Sequence, residues 1–513
     1  MVDIEKFIRT IWRLAIPWLL LALACHVPNA RSNGWEHTSI DFDVLVEALH
    51  DANPNVRLRA AESLGFRPQS GATGALLARL EKNESVDRVR QEIYTSLGRI
   101  GEPSALAEIE NCLLVETAAA IRVECANALG NFDSRNAERL ALQAIHDPNI
   151  QVRLHAIKSL GSFSGPAALQ ALADLARDKN DSISQVALLS LGRTRSATGL
   201  AILQESLSRS ENRKQTLVIL RALTFLANPD AIADIQALYR KTDDEEVRRY
   251  ALVAMASTRA RGSESYFLEA LSSEDHASRI LGLAVLRNFG SRDQAEAITE
   301  HALLDGSRIF RQGADALLLE ARSTIASLEL LNEYLRTVIK LGPQAGESLY
   351  LQAAAVKSVP RSSSAALKIA QQLYQIRWQA IYGLGYTGTE QAAEIVATAL
   401  KDPDARIRAV ALRSLGVLGN AKYHDSIVAM LNDRSAEVRW MAARVLGRSG
   451  VESASETLIR SLADTNAQVR LESALALGYL NAAAAKMKLS ELASKDPDSR
   501  VQEAALYAAS LIK

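Results

Sequence analysis

One short string recurs down this chain, and that recurrence constrains the fold more than any other feature of the sequence. Its first clear copy is Val56-Arg57-Leu58-Arg59-Ala60-Ala61-Glu62-Ser63-Leu64-Gly65. It returns as Val89-Arg90…Ile93…Leu97-Gly98, Ile121-Arg122…Cys125…Leu129-Gly130 and Val152-Arg153…Ala156…Leu160-Gly161. Towards the C-terminus it reads Ile376-Arg377…Leu384-Gly385, Ile407-Arg408…Leu415-Gly416, Val438-Arg439…Leu446-Gly447 and Val469-Arg470…Leu477-Gly478. Successive clear copies lie 31 to 33 residues apart. Weaker copies start at Ile183, Val247, Ser278, Phe310 and Val501, with degenerate ones expected near Gln215 and between Phe310 and Ile376. A period of this length marks a stacked-repeat architecture, here of about fifteen units.

Each copy has the pattern of a helix. Apolar residues at offsets 0, 4 and 8 share one face, and the following Gly suits a C-cap. A polar turn such as Asp402-Pro403-Asp404 or Asp496-Pro497-Asp498 precedes many copies. Its Asp or Asn can cap the helix start, and its Pro ends the helix before it. That earlier helix is also apolar along one side, as in Ala167-Ala168-Leu169-Gln170-Ala171-Leu172. One helical pair is too small to hide its apolar face, so the pairs must stack. The expected fold is an all-α solenoid of helical hairpins.

The Asp-Pro-x-x-x-Val-Arg turn, the small residue at offset 4 and the Leu-Gly ending resemble HEAT repeats, in particular the HEAT-like subclass named after phycobilin lyases. The resemblance covers all but the N-terminus and implies a fold rather than one function. It divides the chain into an N-terminal signal peptide or anchor over 1–30, a HEAT-like solenoid over 31–319, irregular repeats over 320–375 and a second regular solenoid over 376–513. Pro360-Arg361-Ser362-Ser363-Ser364 reads as a polar linker within the irregular tract, which serves either as a hinge or as a decorated loop.

Residues 1–30 have a different character. Lys6, Arg9 and Arg13 precede an apolar run from Leu14 to Cys25, the length of a signal-peptide core and short for a membrane span. Ala22-Leu23-Ala24 supplies a small-x-small cleavage pattern, and Cys25 directly after it matches a lipidation site, although Ala22 stands where lipoprotein signals usually carry Leu. Lipidation at Cys25, simple secretion, an uncleaved anchor and a buried first helix all remain open. Tethering is favoured over free secretion, which places the repeats in the cell envelope.

Catalytic constellations are missing from the sequence. It holds no Gly-rich phosphate loop, no His-Glu-x-x-His, no CxxC and no Gly-x-Ser-x-Gly. Deoxyhypusine hydroxylase has similar repeats but holds iron through His-Glu dipeptides, which do not occur here. Phycobilin lyases are similar too, yet no lyase-specific string is present. With 59 basic and 59 acidic residues, the chain offers no global field for nucleic acid. Neither an enzyme, a metal site nor a cofactor is therefore expected.

Two further features have structural explanations. The Arg at offset 1 falls between the buried and exposed faces, where it can reach the acidic turns of its own or a neighbouring repeat. Such a ladder accounts for Arg57, Arg153, Arg408, Arg439 and Arg470 without a ligand. Cys112 and Cys125 are either apolar fillers or a disulfide joining two antiparallel helices of an exported protein.

Offsets 2 and 6 point away from the apolar face and towards the concave side, which the second helix of a HEAT-like hairpin lines. In the first repeats these positions hold a mixture: Leu58/Glu62, Gln91/Thr95, Val123/Asn127, Leu154/Lys158. Near the C-terminus they become Trp378/Tyr382, Ala409/Arg413, Trp440/Arg444 and Leu471/Leu475. Aromatics and Arg are the residue types enriched at the energetic centres of interfaces. Trp378, Tyr382, Arg413, Trp440 and Arg444 are therefore the candidate contacts for a protein partner. The expected role is a scaffold, with an assembly factor or chaperone for a cofactor-bearing envelope protein as the alternative.

Overall fold

The computed structural model describes residues 42–512 apart from 67–68, 211, 259–261, 313 and 361. Cys25 and the N-terminal apolar run lie outside the described residues. Within them every regular element is helical, and no helix is long and apolar enough to cross a membrane. They form two compact units that meet in sequence between Leu140 and Ala141.

In the first unit three second helices pack in series: Pro54–Phe66 against Asp87–Ile100, and that against Ala119–Ala128. In the second unit the series begins at Ile150–Leu160 and runs to Ser499–Leu511 through eleven such helices. First helices cover one side of each series. The all-α solenoid expected from the repeat is thus present. Caps form as the turns predict: Asn149, Asp404, Asn466 and Asp498 each accept a backbone amide of the helix that follows. Each such cap contributes about 1 kcal/mol.

The repeats number fourteen among the described residues, and the difference from the expected count lies between Ser278 and Ile376. Phe310 does not open a second helix. It lies in the last turn of Gln294–Arg311, an 18-residue helix that is the first member of its pair. One long second helix, Ala321–Leu341, then fills the place between His276–Phe289 and Ser364–Leu384. Two anticipated repeats are therefore one larger repeat. Ile376 is likewise internal to the 21-residue helix Ser364–Leu384 rather than near its start.

Of the Leu-Gly endings, Gly161 and Gly385 stand at the helix C-cap as expected, whereas Gly98 and Gly447 lie inside their helices. A Cβ on Gly447 would stand 2.5 Å from Ala476 Cα in the next second helix, and one on Gly98 would stand 2.5 Å from Ala128 Cβ. These glycines let consecutive second helices approach closely. The left-handed turns come a few residues later, at Gly450 (φ 67°) and Gly101 (φ 71°).

The offset-1 arginines build the anticipated ladder. Arg408 donates to the Asp433 carboxylate of the next repeat at 2.8 and 2.7 Å, and to the Asp402 carbonyl of its own turn at 2.8 Å. Arg439 repeats this with Asp464 (2.7 and 2.8 Å) and the Asp433 carbonyl (2.9 Å). Arg470 does so with Asp496 (2.7 and 2.8 Å) and the Asp464 carbonyl (2.9 Å). Arg377 bonds Asp402. In the repeat after Arg470, Gln502 stands at the Arg position and donates to the Asp496 carbonyl at 2.6 Å. Each Asp thus joins three segments: its carboxylate receives the preceding Arg and an amide of its own turn, and its carbonyl receives the following side chain. In the first unit Arg57 makes the same double contact with Glu84 (2.7 and 2.8 Å) and the Asp51 carbonyl (2.8 Å). Arg153 shows the local half, to the carbonyls of Asp147 and Pro148.

Cys112, in Leu106–Val115, and Cys125, in Ala119–Ala128, are joined by a disulfide, so the second of their two readings holds. Both side chains are buried.

Candidate functional site

The five candidate contacts lie on three consecutive second helices: Ser364–Leu384, Ala405–Leu418 and Ala436–Arg448. Arg413 is exposed, whereas Trp378, Tyr382, Trp440 and Arg444 are half-buried. Ala409, expected on the same surface, is buried at 4% exposure, because an alanine between two larger neighbours does not reach out of the packed layer. Leu58, at the same offset in the first repeat, is buried too.

The side chains form two groups. Trp378 and Tyr382, one turn apart, stack with ring centroids 5.5 Å apart and planes within 5°. Offset stacking of this kind adds about 0.5–1.5 kcal/mol to simple burial and holds both rings in one orientation. The Arg413 guanidinium of the next repeat lies 4.8 Å above the Tyr382 ring. Tyr386, a further turn along, exchanges a hydrogen bond with Tyr382 at 2.9 Å between hydroxyls. That bond, with burial second, holds the Tyr382 hydroxyl above its usual pKa.

In the second group Arg444 covers the Trp440 ring at 4.8 Å. Both arms of its guanidinium bond Glu472 of the following repeat, one of them at 3.1 Å. Glu472 is buried and also accepts from Gln468 at 3.1 Å. Arg444 is thereby held by an acid on one side and an indole on the other. Beyond it Arg448, Leu475, Ala476 and Tyr479 complete a small pocket between the helices.

Sequence reasoning stopped one turn short. Continuing the series 2, 6 to offset 10 names Tyr386, Val417, Arg448 and Tyr479. Val417, Arg448 and Tyr479 are exposed and Tyr386 is half-buried. Helical period alone was enough to find them. Glu472 was not legible in this way, because it lies at offset 3 and meets Arg444 only through the packing of two helices.

No group of His, Cys, Asp and Glu among the described residues is placed to hold a metal ion. Two pairs of titratable groups orient side chains here, Tyr382 with Tyr386 and Arg444 with Glu472, and Glu472 holds Arg444 above its ordinary pKa.

A comparison with curated proteins found no match. Among solved structures, the chain is similar to a structure of Kap95p with RanGDP, with a TM-score of 0.53 at 11% identity over 92% of this chain and 77% of that one. Kap121p gives a TM-score of 0.47 at 12% identity over 91% of this chain, which spans 52% of Kap121p. Yeast importin-beta gives 0.42 at 12% identity, over 92% and 76% of the two chains. At these identities the likeness concerns fold alone. The family model for HEAT repeats matches residues 42–130, 113–192, 364–433 and 424–510, more than half of the sequence. This chain belongs to the HEAT-repeat family.

Proposed function

We propose that the protein is a binding scaffold that receives a protein partner along the second-helix face of its C-terminal repeats. The observation that carries this reading is the fixed row of aromatic and cationic side chains on consecutive helices. Trp378, Tyr382 and Arg413 make one cluster, and Trp440 and Arg444, clamped by Glu472, make the other. Rings and guanidiniums already held in place lose little conformational freedom when a partner arrives. Neighbouring second helices lie roughly 10 Å apart, so the strip extends on the order of 20–30 Å, long enough for a peptide or a helix. The Asp-Pro turns and Leu-Gly endings further support placing the repeats in the phycobilin-lyase HEAT-like subclass.

The reading includes export and tethering by the N-terminus. The apolar run ending at Cys25 supports it, as does the Cys112–Cys125 bond, since disulfides persist in oxidising compartments. The regular repeats over 31–319 and 376–513 then form the part presented to the partner, with 320–375 as a change of repeat geometry between them.

A pull-down from solubilised envelope, read by mass spectrometry, tests the groove. A partner retained by the parent chain and lost by a folded Trp378→Ala/Trp440→Ala variant is the expected result. Equal recovery by both refutes the strip. The mass of the mature N-terminal peptide tests tethering separately: lipid on Cys25 or an uncleaved N-terminus is expected, and a free N-terminus at Cys25 refutes it.

A further inference from the structure

The chain is neutral as a whole, yet this face is not. The ladder arginines 377, 408, 439 and 470 are each matched by an aspartate, and Arg444 is matched by Glu472. Arg413 and Arg448 remain. Both are exposed, and among the described residues neither takes part in an ion pair. Arg413 meets the Tyr382 ring, with its Nη2 3.5 Å from that hydroxyl, which leaves most of its five N–H donors unused. Arg448 borders the pocket formed with Leu475 and Tyr479. The other carboxylates on these helices are at the edges: Glu437 in the first turn of its helix and Glu503 on the last helix.

We propose that the occupant of the strip is an acidic, extended segment of a partner protein, two of whose carboxylates meet Arg413 and Arg448 while its apolar side chains lie on the Trp378–Tyr382 stack and against Leu475 and Tyr479. This rests on the scaffold reading and names the chemistry of its partner. The spacing follows from helix geometry. Arg413 and Arg448 are on adjacent helices roughly 10 Å apart. They sit at offsets 6 and 10, and four residues of helix rise about 6 Å. The two stems are thus about 12 Å apart, which an extended peptide spans in three or four residues. Guanidiniums bind carboxylates through paired N–H donors, and aromatic neighbours strengthen the bond by excluding water. A polyanion such as nucleic acid needs many more phosphate contacts than two arginines supply.

The test is selection of a displayed random-peptide library on the full chain in detergent, followed by anisotropy measurements with a selected peptide. Peptides carrying Asp or Glu three or four residues apart, interleaved with apolar residues, are the expected product. Arg413→Gln and Arg448→Gln should each weaken binding about tenfold, the usual scale for loss of a charge-assisted pair, with helicity unchanged. Replacing the peptide's acids by Gln should cost as much or more. Neutral or basic selected peptides, no selection above background, or indifference of an acidic peptide to both Arg variants would overturn the proposal. Binding that ignores the Arg variants yet disappears in Trp378→Ala/Trp440→Ala keeps the groove and removes its acidic occupant. Binding that also survives the aromatic variant removes both.

Discussion

Asp433→Ala is the sharpest probe of how consecutive repeats are held together. Its carboxylate accepts both Arg408 donors and the Ser435 amide at 2.8 Å. The side chains of Arg408 and Asp433 are only 5% and 10% exposed. Removing one member of a buried pair strands the other, at a cost of about 3–5 kcal/mol. Arg408 keeps its bonds to the Asp402 and Pro403 carbonyls, which places the expected loss near the lower end, about 3 kcal/mol. Arg408→Met should cost a similar amount. The double variant should cost at least about 1 kcal/mol less than the sum, because no charge is then left unpaired. Hydrogen exchange read by mass spectrometry over Ala405–Leu418 and Ala436–Arg448 measures this directly. A loss of 3 kcal/mol speeds exchange on the order of a hundredfold. Arg153→Met, where the bonds run to local carbonyls, is the control and should cost about 1 kcal/mol. Additive single effects, or a loss below about 1 kcal/mol at Asp433, would show that the ladder does not couple the repeats.

Other outcomes follow from the same geometry. In Asp433 and Asp464 burial pushes the carboxyl up, but the Arg bonds and turn amides outweigh it and the pKa falls; in Asp496 the Arg470 bond itself dominates. Glu84, against Arg57 and Arg79, is brought down to about 2. Carboxylates depressed on folding stabilise fully above their unfolded values near pH 4 and lose that contribution as pH falls through the folded ones. The melting temperature should therefore fall steeply below about pH 4, and a flat acid limb in a calorimetric series would contradict this. Gly447→Val should destabilise by about 1–3 kcal/mol through collision with Ala476, whereas Gly74→Ala, with nothing within 4 Å, should be neutral or stabilising; thermal melts decide. Replacing Cys112 and Cys125 together by Ser should cost the first unit about 2–3 kcal/mol, seen as faster proteolysis within Leu106–Ala128. Full protection of that segment would argue against a stabilising bond.

The sequence on its own determined the class of fold, because a helix-period pattern recurring every 31 to 33 residues has only stacked solutions. It also placed the Arg ladder and named Trp378, Tyr382, Arg413, Trp440 and Arg444 as neighbours on one face, since offsets along a regular helix translate directly into direction. The tertiary structure decided what depends on the distance between helices. Gly447 reads as a helix end in sequence, and only the approach of Ala476 shows it to be a point of close packing. Phe310 reads as the start of a repeat, but the helices around it are long, and a local pattern does not reveal which of two registers lets a helix bury most of its apolar surface. The pairing of Arg444 with Glu472 was likewise beyond a one-dimensional reading, and only the packing of two helices decided between a disulfide and a filler role for Cys112 and Cys125. Periodicity sets the direction of a side chain, whereas its partner is set by how closely the next helix packs.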